Sequence, residues 1–101
     1  MPPMSPGEEG SLRIETLLRE VNLRIEELER RVAPRRRYLP LLCECATAGC
    51  ASPIEVEAAV FRRARQKPLR FFVARGHERV GSDTVIARLP GYLIVERTGS
   101  G

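Results

Sequence analysis

Large aromatic side chains are scarce in this chain of 101 residues, which has no tryptophan, two tyrosines and three phenylalanines. A chain of this length forms one domain with extensions, and a small domain buries a limited fraction of its surface. With so little large apolar mass, the sequence favours a fold that is held by a cross-link or a metal ion as well as by a hydrophobic core.

Several functional signatures are also missing from the sequence. No uninterrupted apolar run approaches the ~20 residues that span a bilayer, and residues 1–4 lack the basic and apolar segments of a secretory signal. There is no glycine-rich phosphate loop, no dinucleotide-binding fingerprint and no paired-carboxylate motif. These absences predict a cytoplasmic protein that does not enter the membrane and is not an enzyme.

Three cysteines and the only histidine are the most informative residues that are present. Cys43, Cys45 and Cys50 follow the spacing C-x-C-x₄-C, and His77 lies in a Gly-His-Glu tripeptide. An odd number of cysteines does not suit a closed set of disulfides, whereas three thiolates and one imidazole suit the tetrahedral coordination of structural zinc. We therefore predict that these four residues bind a structural zinc ion. Glu78 is predicted to contact one of the ligating side chains and to orient it.

Other interpretations of the same residues remain open. The cysteines also suit burial as small apolar residues, with His77 hydrogen-bonded in a loop. Glu44 and Glu78 are available as an acid or base if the metal keeps an open position, although four good ligands favour a closed site. Oxidation of Cys43 and Cys45 that expels zinc would make the protein a thiol redox sensor.

A long amphipathic helix is predicted near the N-terminus. Residues 1–10, rich in proline, glycine and glutamate, read as a disordered tail. Residues 11–33 read as a helix with Ser11 as its N-cap and Pro34 as its stop signal. Its apolar residues recur at the heptad spacing of a coiled-coil seam, namely Ile14, Leu18, Val21, Ile25, Leu28 and Val32.

The seam predicts a protein–protein contact. Arg24 and Glu29 fall at the g and e positions that form salt bridges between parallel coiled-coil strands. We therefore expect a homo-oligomer formed through residues 11–33, or docking of this helix on a partner helix. The alternative is an amphipathic helix that packs on its own domain.

The rest of the chain predicts an α+β fold. A basic linker at residues 34–40 leads to a small zinc-stabilised domain at 41–97, followed by a loose tail at 98–101. We predict strands at 38–42, 54–56 and 69–74, and a β-hairpin with arms at 84–89 and 92–96 that turns at Pro90 and Gly91. The first arm has a short helix as its alternative.

The single helix of this domain is predicted from about residue 57 to residue 66, after the strand at 54–56 and before Pro68. An alternative begins the helix earlier, with Ser52 in a capping box and Pro53 at the first helical position.

Positive charge is concentrated in the middle of the chain. Residues 34–75 carry nine basic and three acidic residues, a sum of +6, whereas the whole chain carries +4. A local basic surface indicates nucleic acid or another polyanion as a possible partner. Cations at the end of a helix also complement the helix dipole, which explains the charges without any ligand. The candidate contacts are Arg35, Arg36, Arg37, Arg62, Arg63, Arg65 and Lys67.

Two local resemblances bear on the metal site. The C-x-C-x₄-C spacing resembles the small zinc cluster that follows SET methyltransferase domains, over eight residues and with no implied methyltransferase activity. Over residues 43–96, the C-E-C-x₄-C and G-H-E motifs resemble a family of small uncharacterised actinobacterial proteins. That likeness covers about half of the chain, which departs from the family pattern at Ala46, Phe61 and Arg75. It implies the same four ligands and no substrate.

Taken together, these features predict a small non-enzymatic zinc-binding protein with a role in interaction or regulation. A nucleic-acid-binding transcriptional regulator and a thiol redox sensor are the alternatives.

Overall fold

The computed structural model describes residues 6–45, 47 and 49–97, and within the first helix it describes side chains from residue 16 onward. The fold is a small mixed α and β domain with antiparallel sheets, as predicted. Its elements in chain order are α1 (Pro6–Val32), β1 (Tyr38–Leu42), β2 (Pro53–Glu57), α2 (Ala58–Ala64), β3 (Arg70–Ala74), β4 (Asp83–Leu89) and β5 (Tyr92–Arg97).

Strands β1 and β2 form a two-stranded antiparallel sheet. Buried and exposed residues alternate along both strands because successive side chains point to opposite faces. Leu39 and Leu41 of β1 thus join Ile54 and Val56 of β2 on the face that packs against Phe61 of α2. These residues form part of the larger of two hydrophobic clusters.

The second sheet has the strand order β3-β5-β4, and both of its faces are covered. Alternate residues of β3 and β5 enter different clusters: Phe72 and Ile94 face the larger one, whereas Val73 and Leu93 face a smaller one. The smaller cluster also contains Cys43 and Cys45. The cysteines therefore lie on the opposite face of this sheet from β1, β2 and α2.

The predicted hairpin and the strand before α2 are confirmed. Strands β4 and β5 pair in antiparallel register around Gly91, whose φ of 85° is the left-handed conformation that a type II turn requires at this position. The helix alternative for the first arm is wrong. The capping-box alternative is wrong too, because Pro53 begins β2 and α2 starts only at Ala58.

Helix α1 begins earlier than the sequence predicted. It starts at Pro6, so Ser11 lies inside the helix and residues 6–10 are helical rather than disordered. Proline is well tolerated in the first turn of a helix. The end at Val32, ahead of Pro34, agrees with the prediction. The tails at residues 1–5 and 98–101 lie outside the described residues.

The heptad seam does not form a long coiled coil. Ile25 packs against the larger hydrophobic cluster of the same chain, while Leu28 and Val32 point outward and are 60% and 72% exposed. The most buried side chains of α1 are polar, Asn22 and Glu26. The predicted alternative, a helix that packs on its own domain, describes the structure better because these polar groups find partners there.

The predicted interchain bridge between Arg24 and Glu29 also loses its support. Glu29 forms a salt bridge with Arg36 of the following linker, at 3.0 Å. Its carboxylate is therefore already neutralised within the chain. The side chain of Ile14, another residue of the predicted seam, lies outside the part of the chain whose side chains are described.

None of the helices in the described part of the chain has the length and apolar character needed to cross a membrane.

Candidate metal centre

The four predicted ligands lie together. One donor atom from each of Cys43, Cys45, Cys50 and His77 falls in a group whose members are all within 4.8 Å of one another. Nδ1 of His77 is 3.5 Å from the Sγ atoms of both Cys43 and Cys50. A tetrahedral zinc ion with Zn–S of ~2.3 Å and Zn–N of ~2.0–2.1 Å has S–N edges of roughly 3.5 Å. The four residues are therefore positioned to bind a metal ion, and their spacing fits zinc.

The end of β1 positions Cys43. Its backbone N–H donates to the carbonyl oxygen of Ser52 at 2.9 Å, which continues the pairing of β1 and β2 beyond the strands. The N–H of Ala74, the last residue of β3, donates to the sulfur of Cys43 at 3.1 Å. Such a bond favours the thiolate that a metal requires. Cys43 is thus held from two sheets at once.

Tight turns present the two more distant ligands. The N–H of Cys50 donates to the carbonyl oxygen of Thr47 at 3.0 Å, and the N–H of His77 donates to that of Ala74, also at 3.0 Å. The second turn depends on Gly76, whose φ of 84° lies in the left-handed region that glycine enters without steric cost. This turn aims Nδ1 of His77 at the sulfurs.

Burial differs among the four ligands. Cys43 and Cys45 are buried in the smaller hydrophobic cluster, Cys50 is half-buried and His77 is exposed. On the solvent side the site borders an open cavity of about 330 Å³. The centre is therefore closed by the core on one side and accessible to an entering metal ion on the other.

The two buried thiols differ in acidity. Burial raises the pKa of Cys43 to about 12, an effect that the Ala74 N–H only partly offsets. Burial also acts to raise the pKa of Cys45, but hydrogen bonds with Thr47, His77 and Cys50 outweigh it and lower the pKa to about 6. Burial thus disfavours the thiolate of Cys43, whereas the neighbouring hydrogen bonds favour that of Cys45. Metal coordination needs both thiolates, so binding displaces any proton that the sulfurs hold.

The predicted role of Glu78 in orienting a ligand stays a prediction. It lines the cavity beside the site, but no hydrogen bond joins it to His77 or to a cysteine within the described residues. One of its carboxylate oxygens is buried without a hydrogen-bond partner in that part of the chain.

Glu44, between the first two ligands, is directed away from the metal site. It is fully buried, and its carboxylate accepts hydrogen bonds from Asn22, Arg65 and the backbone N–H of Phe72. A carboxylate neutralised in this way is not a free acid or base for a metal-bound molecule. The sequence analysis did not identify Asn22 as a partner of Glu44. The only indication in the sequence is that Asn22 is a polar residue next to the apolar seam of α1.

The predicted basic surface is not supported. Four of its seven members form salt bridges with glutamates of the same chain: Arg36 with Glu29, Arg37 with Glu57, Arg62 with Glu26, and Arg65 with Glu44. Arg35, Arg63 and Lys67 form no salt bridge with the residues that the structure describes. Two of these partners, Glu26 and Glu29, lie outside residues 34–75 and offset part of the charge excess of that segment. Nucleic-acid binding stays a prediction.

Comparison of the chain with known protein families, with curated proteins and with solved structures gives no match. The resemblance to small actinobacterial proteins stays a prediction.

Proposed function

We propose that this protein is a non-enzymatic zinc-binding module whose metal is structural and which acts in interaction or regulation. The observation that carries the proposal is the group of four donor atoms within 4.8 Å. They come from two chain segments, residues 43–50 and the turn at His77. A bound zinc ion would join the end of β1 to the end of β3, which the small hydrophobic cluster around Cys43 and Cys45 secures only in part.

A closed site accounts for the donor set better than a catalytic one. Structural zinc sites use four protein ligands, whereas catalytic zinc keeps one position for water or substrate. Here three thiolates and an imidazole fill all four positions. The engagement of Glu44 with Asn22 and Arg65 further supports a structural metal, since that carboxylate is not available at the ligands.

Metal analysis of the purified protein tests the proposal. We expect one zinc ion per chain, a loss of zinc in His77→Ala, and no loss in Arg75→Ala, an exposed neighbour in the same turn. Protein that carries no zinc after purification, and binds none when zinc is supplied, would refute the structural metal.

We further propose that two copies of the chain associate through the outward face of α1. Leu17, Leu28 and Val32 are each at least 60% exposed and lie along one side of the helix. Arg24 and Glu27 flank this side and form no salt bridge with another described residue, so a second copy offers both the apolar surface and the opposite charges.

Sedimentation of two matched variants tests the association. Leu28→Glu is expected to yield monomer. Leu23→Glu introduces the same charge on a partly exposed leucine about 140° around the helix, and it is expected to leave the assembly unchanged. A monomeric native chain at high concentration would contradict the association and leave the zinc proposal untouched.

A further inference from the structure

A buried polar network lies next to the segment that carries the candidate metal ligands, and it includes a side chain of α1. We propose that Glu44 is a positioning residue which couples metal binding to the docking of α1, so that each stabilises the other. The inference rests on the proposed zinc site. It assigns to Glu44 and Asn22 a role that their positions in the sequence do not reveal.

The carboxylate of Glu44 is held at both oxygens. Oε1 accepts from the N–H of Phe72 at 3.0 Å, while Oε2 accepts from Asn22 at 2.8 Å and from Nη2 of Arg65 at 2.6 Å. The backbone N–H of Glu44 also donates to the carbonyl oxygen of Phe72 at 2.8 Å. A fully buried carboxylate cannot leave these partners without a large desolvation cost. The segment between Cys43 and Cys45 is thus fixed on β3.

Asn22 ties the same segment to α1. Its Oδ1 accepts from the N–H of Leu42 and its Nδ2 donates to the carbonyl oxygen of Leu42, both at 2.9 Å. The same Nδ2 donates to Glu44. One side chain of α1 therefore holds the residues on both sides of Cys43, and Asn22 is itself fully buried.

Arg65 supplies the charge that balances Glu44. Its side chain is 8% exposed, and its guanidinium lies 4.9 Å from the ring centre of Phe61 and 5.1 Å from that of Phe72. Removing either partner of such a buried pair leaves an uncompensated charge. The loss of any one partner is therefore costly, and this links the cysteine segment energetically to the helices.

The direction of the coupling follows from the position of Glu44. Metal bound to Cys43 and Cys45 fixes the backbone on both sides of Glu44, and a fixed backbone keeps the carboxylate aimed at Asn22. Without metal, this segment loses that restraint and α1 loses one of its buried contacts. Because such coupling is reciprocal, loosening α1 must weaken metal binding by the same factor.

A second contact of α1 provides a matched control. Glu26 is also buried on α1, and it pairs with Nε of Arg62 on α2 at 3.1 Å. None of its hydrogen bonds goes to residues 42–45. Asn22→Ala and Glu26→Ala thus each remove a buried polar contact of α1, but only the first touches the segment that carries the cysteines.

The test measures zinc affinity by chelator competition in the native chain and in both variants. We expect Asn22→Ala to weaken zinc binding about tenfold or more, as is usual for groups behind metal ligands. Glu26→Ala is expected to change it by less than about twofold, even where both variants are equally destabilised in urea. Equal zinc affinities in the two variants would overturn the coupling.

Hydrogen exchange of the native chain tests the same coupling without a substitution. On zinc removal, we expect amides at residues 22–32 to lose more protection than those of the β4–β5 hairpin. Equal loss in both regions, or no loss in α1, would contradict the inference. A native chain that binds no zinc would instead refute the proposed function.

Discussion

The two faces of the β3-β5-β4 sheet are closed by different chemistry. One face packs Phe72 and Ile94 against α2 and the β1-β2 sheet, with Phe61 and Phe72 stacked at 5.4 Å. The other face has a smaller cluster that includes Cys43 and Cys45. The first face is closed by hydrophobic burial, whereas the second also carries the four residues that are positioned to bind a metal ion. A bound metal would add to the limited apolar burial on that second face.

Removal of the metal should have the largest effect, and it should act on the cysteine face. Structural zinc contributes about 10–16 kcal/mol of apparent binding free energy in small zinc-finger peptides. We therefore expect a strong chelator to lower the melting temperature of this protein substantially. Circular dichroism melts with and without chelator measure the effect, and coincident melts would show that the two faces do not differ in this way.

Phe72→Ala should be the most damaging single change on the apolar face. Phe72 is fully buried between Phe61 and Tyr92, and truncation of such a ring costs about 3–5 kcal/mol. We expect this loss in the free energy of unfolding in urea with zinc bound. Tyr38→Ala, at a residue 47% exposed, serves as the control with a loss below about 1 kcal/mol. Similar losses for the two variants would contradict the described core.

Two glycines allow the faces to be compared with equal backbone strain. Gly76 and Gly91 have φ values of 84° and 85°, and an added Cβ would meet no atom within 4 Å at either position. Replacement by alanine should cost about 1–2 kcal/mol at each. Only Gly76→Ala should also weaken zinc binding, since Gly76 shapes the turn that presents His77. Chelator competition measures this difference, and equal zinc affinities would argue against a role for the turn.

The charge of Glu26 should have the smallest effect, at the contact between α1 and α2. A hydrogen bond from Arg30 lowers the pKa of Glu26 below its ordinary value of 4.5, with Arg62 adding to the effect against the opposing influence of burial. A lowered folded-state pKa contributes stability above the unfolded-state pKa, and this stability is lost as the pH falls through the folded-state pKa. Glu26→Gln should therefore flatten the decline of stability below about pH 4.5, as measured by urea unfolding.

The metal site was predictable in its ligands but not in its surroundings. Cys43, Cys45, Cys50 and His77 were identifiable because donor type and spacing are written in the sequence. The hydrogen bonds of Glu44 were not, since the direction of this side chain depends on the packing of β3 and α1. The hairpin at Gly91 was predictable because its turn chemistry is local.

The four candidate ligands, the alternating strands and the turn glycines can be recognised in the sequence, because each depends on donor chemistry or on the backbone preferences of adjacent residues. Which side of α1 faces the domain, and which glutamate neutralises each arginine, depends instead on how the elements pack. Partners such as Glu26 and Arg62 are 36 residues apart, and Glu44 and Arg65 are 21 apart. Pairing across such distances is set by the packing of whole elements, since a buried charge is stable only where the fold brings its partner.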